Sequence, residues 1–325
     1  MYLEHWGLGR PPFRITPDTG LFYGGALREP ILEAIEYAVL QGEGIVKVSG
    51  EVGVGKTMLC RVLEERLAGR LEIVYLGNPS LSPVEVLRAI AFEMELKLPE
   101  GAGHLEIIHH LHEALLQRHA EGRQVVVFIE EAQNMSLETL EEVRLLSNLE
   151  TGTCKLLQMV LFGQPELDLN LARPEIRQLR ERITHSFHLE PFSRREVEEY
   201  LEYRLTQSGY RGPKIFSRRA VKAIARGSRG LARRVSILAD KALMAAFTEG
   251  KHVVKPRHVA YALADSEFGG GIARFFRRGT FRPGWMGLAF FGVVMVAMGQ
   301  MVGAESEGAP SAAEPSPHFL QEMGS

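Results

Sequence analysis

Cysteine is scarce. The 325-residue chain has two, Cys60 and Cys154, and neither belongs to a C-x-x-C pair. No disulfide framework or paired-thiol motif is present. Both lie in apolar stretches and read as small buried hydrophobes in a reduced setting. An excess of one charge is also missing: the formal net charge is -2, so the whole chain offers no field for nucleic acid, and a nucleic-acid partner is not expected. Met1–Trp6 has neither a basic start nor an apolar core and does not read as a signal peptide. No internal repeat is visible. His104, His109, His110, His112 and His119 crowd one segment, yet the zinc-protease spacing that His112-Glu113 suggests needs a second histidine at position 116, which is Leu116. The histidines read as a solvated helix face.

What remains is ordinary globular composition, 45% hydrophobic and 24% charged. The length calls for two folded units plus appendages. Residues 7–30 are rich in Gly and Pro and read as an ordered loop. Short apolar runs predict strands at 45–49, 73–76, 125–129, 156–162 and 183–189. Helical periodicity fills the gaps, at 28–41, 56–67, 83–96 and 137–149. This alternation predicts an α/β parallel sheet with helices on both faces. From Arg194 the pattern turns all-helical, over 194–208, 217–226, 231–248 and 256–264.

The predicted domain plan follows: an α/β domain over 1–190, a helical lid over 191–267, a basic linker over 268–283, a transmembrane helix over 284–304 and a disordered tail over 305–325. The span has no charged residue, and at ~1.5 Å rise per residue it is long enough to cross a bilayer core. Arg274, Arg277, Arg278 and Arg282 precede it, and four glutamates follow. The positive-inside rule puts the folded units in the cytoplasm, at the inner face of the inner membrane, and the tail outside.

Gly50-Glu51-Val52-Gly53-Val54-Gly55-Lys56-Thr57 matches G-x-x-x-x-G-K-[ST] in full, between a predicted strand and a predicted helix that continues through Met58. Glycines let successive N–H groups turn toward a phosphate, and the helix start adds the positive end of its dipole. Lys56 supplies a point charge for the β- and γ-phosphates, and Thr57 a hard oxygen for Mg²⁺. This is the signature of a P-loop nucleoside triphosphatase, with ATP and Mg²⁺ as ligands. The apolar run 125–129 ends in Glu130 and Glu131, at the strand end where such sheets bind ligands. Glu130 is placed to hold Mg²⁺, and Glu131 to polarise the attacking water. Most proteins of this type have Asp where Glu130 stands; Glu is one methylene longer and repositions that contact. Gln164, at the end of the fourth predicted strand, is a candidate to touch the γ-phosphate or the water. Arg182, with Arg180 second, could reach the ATP of a neighbouring subunit, and Arg233 opens a lid helix that could swing over the phosphates.

These residues resemble the ExeA/GspA-type AAA+ ATPases of secretion and pilus assembly over about residues 1–265. The resemblance rests on the P-loop, on Pro12-Phe13 with Pro17-Asp18, on Glu130-Glu-Ala-Gln133, and on the stretches 144–150, 156–167 and 177–183. It implies an AAA+ fold, Mg-ATP hydrolysis, a homo-oligomer and partners among inner-membrane proteins that assemble a type IV (MSHA-like) pilus or a general secretion machine. It also implies Gln164 as the sensor position, Arg233 as the lid arginine, and Phe13 and Tyr23 as part of an adenine pocket. The periplasmic peptidoglycan-binding domain of the ExeA type has no counterpart in the short tail. Two readings of other classes stand beside this one: a DNA-transposition helper ATPase, and a nucleotide-dependent scaffold with little turnover.

Overall fold

A computed structural model describes residues 1–268 apart from 43, 78, 79 and 267. The linker from 269, the span expected over 284–304 and the tail lie outside the described residues. Among the described residues no helix is long and apolar enough to cross a membrane. Met1–Ala273 forms one compact unit.

After a short helix α1 (Tyr2–Trp6) and α2 (Arg28–Gln41), the chain enters β1 (Ile45–Gly50), α3 (Lys56–Leu67) and β2 (Glu72–Leu76). Two helices follow, α4 (Pro83–Glu93) and α5 (His104–Ala120), then β3 (Val125–Ile129) and α6 (Leu137–Leu146). β4 (Leu157–Gly163), α7 (Pro165–Leu171), α8 (Arg177–Glu181) and β5 (Ile183–Leu189) complete the α/β part. The sheet order is β2-β3-β4-β1-β5, and every pairing is parallel. The lid is α9 (Arg194–Gln207), α10 (Arg218–Ser228), α11 (Ala232–Thr248) and α12 (Pro256–Ala264).

The apolar run of β3 is unbroken because that strand is covered on both faces. Side chains alternate sides along a strand. In β3, Val125, Val127 and Ile129 join the cluster under α4, α5 and α6, while Val126 and Phe128 join the one under α2 and α3. A third cluster fills the lid, and Trp6, Leu8 and Phe13 from the N-terminal segment belong to it. Phe13, expected at an adenine pocket, is instead buried edge-on against Phe216 at 6.1 Å between ring centres.

Serine caps set the helix starts where the sequence has Ser before a periodic run. Ser82 and Ser193 form reciprocal capping boxes with Glu85 and Glu196, and Ser136 and Ser217 cap α6 and α10. Two helices end earlier than their periodicity suggests, at Glu93 and Leu146 rather than 96 and 149; after α4 the left-handed Glu95 (φ 57°) turns the chain. Cys154 is exposed in the turn before β4, which corrects its reading as buried; Cys60 is buried as expected.

The chain passes from the sheet to the helical part at residues 190–192. There the Phe192 N–H donates to the Gly230 carbonyl at 2.9 Å. Gly230 has φ 75°, and a Cβ on it would lie 2.2 Å from the Phe192 carbonyl oxygen. Gly230→Ala is therefore expected to cost about 2 kcal/mol or more from strain and clash together, read as a lower Tm in thermal unfolding. An unchanged Tm would contradict this packing.

Candidate active site

The loop 50–55 leaves β1 at the C-terminal edge of the sheet, between β4 and β5, and feeds directly into α3. Gly53 (φ 80°) shows why the loop needs glycine. A Cβ there would also sit 3.1 Å from the Arg233 side chain, because the lid helix closes onto the loop. The Arg233 N–H donates to the Gly53 carbonyl at 3.0 Å. Lys56 is buried and donates to the Gly50 and Glu51 carbonyls at 2.6 and 3.2 Å. Burial pushes its ammonium below its ordinary value, opposed by Glu131, Glu51 and Glu130.

β3 delivers the two carboxylates across from this loop. Glu130 is buried; its Oε2 accepts from the Tyr75 hydroxyl at 3.0 Å and from the Thr57 hydroxyl at 3.4 Å. Its Oε1 is buried without a hydrogen-bond partner. That orphaned oxygen beside the Thr57 hydroxyl is a hard-oxygen donor set that fits Mg²⁺. Tyr75 lies on the neighbouring strand β2, stacked under the Arg61 guanidinium 4.4 Å away. Burial, then the Glu130 charge, raises its phenol well above the ordinary tyrosine value.

Glu131 departs from regular backbone, at φ 52° and ψ 35° in the left-handed region. Non-glycine residues held there cluster at functional sites. Its Oε2 accepts from Gln133 Nε2 at 2.7 Å and from Gln164 Nε2 at 2.8 Å. The Gln164 N–H in turn donates to Gln133 Oε1 at 2.9 Å, closing a small network. Burial alone would raise the Glu131 carboxyl, but the two amides and the Lys56 charge outweigh it and hold it below the usual carboxylate range. Glu131 is thus an oriented carboxylate held toward its ionised form, and its Oε1 makes no hydrogen bond among the described residues.

The loop, Glu131 and Arg233 line a cleft of ≈ 300 Å³ between sheet and lid. Its far end is formed by Ile15, Pro17, Tyr23, Phe192, Tyr200 and Arg204. Tyr23, which the resemblance implies for an adenine pocket, lines this cleft. Arg28, also on the cleft, is buried, stacks 3.9 Å over Phe192, and donates to the Val54 carbonyl at 2.9 Å and the Glu190 carbonyl at 3.4 Å. Burial pushes its guanidinium down to about 10.

The structure brings together the expected residues 50–58, Glu130, Glu131, Gln164 and Arg233. It leaves Arg180 and Arg182 away from this cleft. Arg182 is half-buried and donates to the Ser147 hydroxyl at 3.2 Å and carbonyl at 3.5 Å. Arg180 is exposed and makes no hydrogen bond or ion pair among the described residues. Sequence reasoning missed Tyr75, Arg28 and the clamping role of Gln133. Only Gln133 carried a signal, two residues after Glu131.

Fold and site together define a P-loop ATPase with an AAA-type fold. The family model described as "AAA domain" matches residues 39–171. The chain is 38% identical over 299 residues to General secretion pathway protein A of Aeromonas hydrophila, covering 92% of this chain and 53% of that protein. It therefore spans about half the length of that relative. A second relative, ATP-dependent target DNA activator B of Escherichia phage D108, is 34% identical over 131 residues, 40% of this chain and 38% of that one. Among solved structures, Cdc6p from Pyrobaculum aerophilum superposes with a TM-score of 0.61 at 18% identity, over 76% of this chain and 71% of that chain, a likeness of fold.

Two outcomes test the site. Replacing Gln133 and Gln164 with Ala removes the donors that depress the Glu131 carboxyl, so the acid limb of the kcat–pH profile should move to higher pH; an unmoved limb would contradict the clamp. Tyr75→Phe should raise the Mg²⁺ concentration needed for half-maximal nucleotide retention, on the order of tenfold, at unchanged helical content. An unchanged Mg²⁺ requirement would show that Tyr75 does not position Glu130.

Proposed function

We propose that this ATPase couples Mg-ATP hydrolysis to the assembly of a secretion machine or an MSHA-like type IV pilus at the inner membrane. The observation that carries the enzymatic part is the Glu131 carboxylate, clamped by two glutamines and facing Lys56 across the P-loop cleft. The pathway is supported by the 38% identity to General secretion pathway protein A; the pilus reading rests on the resemblance of the motifs named above to MshM of the mannose-sensitive haemagglutinin pilus.

In this reading the loop amides and Lys56 grip the triphosphate. Thr57 and Glu130 hold Mg²⁺, which when bound neutralises charge on the phosphate oxygens. Glu131 takes a proton from the attacking water while Gln164 keeps that carboxylate oriented. Arg233, exposed at the cleft with its side chain uncommitted, meets the phosphates from the lid side. The chain works as a homo-oligomer, and Arg180 reaches the site of the next copy; with Arg182 spent on Ser147, Arg180 is the freer of the two. The segment 284–304 anchors the chain, with the ATPase cytoplasmic and the tail periplasmic.

The 34% identity to the phage DNA activator favours one other reading, a DNA-transposition helper. Glu131→Gln is expected to keep ATP binding and to lower turnover by about 10²–10⁴-fold, measured by phosphate release beside fluorescent-nucleotide titration. Equal turnover in both proteins would remove Glu131 as the base. Stimulation of wild-type turnover by duplex DNA would favour the second reading.

A further inference from the structure

Some exposed arginines of this protein have acidic partners: on the lid, Arg195 pairs with Glu199 and Arg257 reaches Glu249. Helix α10 gathers cations that have none. Its sequence, Arg218 to Ser228, contains no acid, and Arg218, Arg219, Lys222 and Arg226 are all exposed, with Arg229 following at the cap. None of the five makes a hydrogen bond or ion pair among the described residues. Arg218, Lys222, Arg226 and Arg229 recur at spacings of four, four and three, which lines them along one helix face. The opposite face, Val221 and Ile224, is buried in the lid core. An unneutralised basic stripe on a chain of net charge -2 is a local feature, built to meet an anion-rich surface.

The position of the stripe in the chain indicates which surface. α10 packs against α12, and α12 ends at Ala264, about twenty residues before the uncharged stretch 284–304. At no more than ~3.6 Å per residue, that connection keeps the lid within roughly 70 Å of a bilayer the stretch would enter. The connection itself carries Arg274, Arg277, Arg278 and Arg282. We propose that the basic face of α10 docks on the anionic lipid headgroups of the membrane to which the chain is anchored. The proposal rests on the anchored reading above. Each cation brought to an anionic surface favours the docked state by about fivefold, so a stripe of this size holds the lid down on anionic lipid and releases it on neutral lipid. Because the Arg233 N–H ties the lid to the P-loop, docking would bear on how the lid closes over the cleft.

The full chain is reconstituted in nanodiscs of phosphatidylcholine, with or without phosphatidylglycerol, and acetylation of Lys222 by acetic anhydride is followed by mass spectrometry. Lys97, exposed on the α/β part, is the internal control. Lys222 should be protected at least fivefold in anionic discs relative to neutral ones, with Lys97 unchanged. A variant carrying Arg218→Gln, Arg226→Gln and Arg229→Gln should lose that protection while keeping wild-type ATP turnover in neutral discs, which also shows that it folds. Equal Lys222 labelling in both disc types overturns the docking and leaves the anchor standing. A chain that does not incorporate into discs at all overturns the anchor and the docking with it. Protection by duplex DNA without lipid, and none by anionic lipid, would assign the stripe to nucleic acid instead.

Discussion

The inner strands β1, β3 and β4 of the parallel sheet are covered on both faces, which leaves mainly their ends for chemistry. That constraint organises the whole molecule. β1, β3 and β4 spend their side chains on two hydrophobic clusters, so polar function begins only where each strand runs out. β1 runs out into the phosphate loop, β3 into Glu130 and Glu131, and β4 into Gln164. Because the strands are parallel and β4 lies between β1 and β3, the three exits face one another. The residues of the candidate site are therefore brought together by strand order.

Charge balance then decides how the cleft is poised. Lys56 is buried among backbone carbonyls and faces two carboxylates, so its positive charge is costly to bury and well opposed. Glu130 is left with one unpartnered oxygen and Glu131 is held ionised by neutral amides. A polyanion and a divalent cation entering together relieve both imbalances. The longer reach of Glu130, compared with the Asp usual at such sites, is taken up by the Tyr75 hydroxyl on the adjacent strand.

Much of this was legible in the sequence, and the reasons are local. The run Val125–Ile129 followed by two acids, and the loop 50–57 between strand and helix, are contiguous signals that burial and phosphate binding each demand. Helix starts were legible wherever a serine cap preceded a periodic run. The illegible parts are long-range. Nothing near Tyr75 says that its hydroxyl meets a residue on β3. Nothing near Arg28 says that it will stack on Phe192 and bind two carbonyls far along the chain. Cys154 sits next to an apolar strand but falls in the turn before it. Arg182 looked as free as Arg180 until Ser147 was brought beside it by the packing of α6 on α8.

Trp6, Leu8 and Phe13 belong to the same core as α9 to α12. The α/β part is therefore spliced into the helical part, and the chain crosses between them twice, near residue 27 going in and near residue 191 coming back. The two crossings lie side by side, because Arg28 touches the carbonyls of Ala26 and Glu190 and the ring of Phe192. A door on a single pin can wobble in any direction, whereas one on two adjacent pins turns about a fixed line. Arg28 is the spacer between these pins and also a donor to Val54, so one side chain ties both crossings to the phosphate loop.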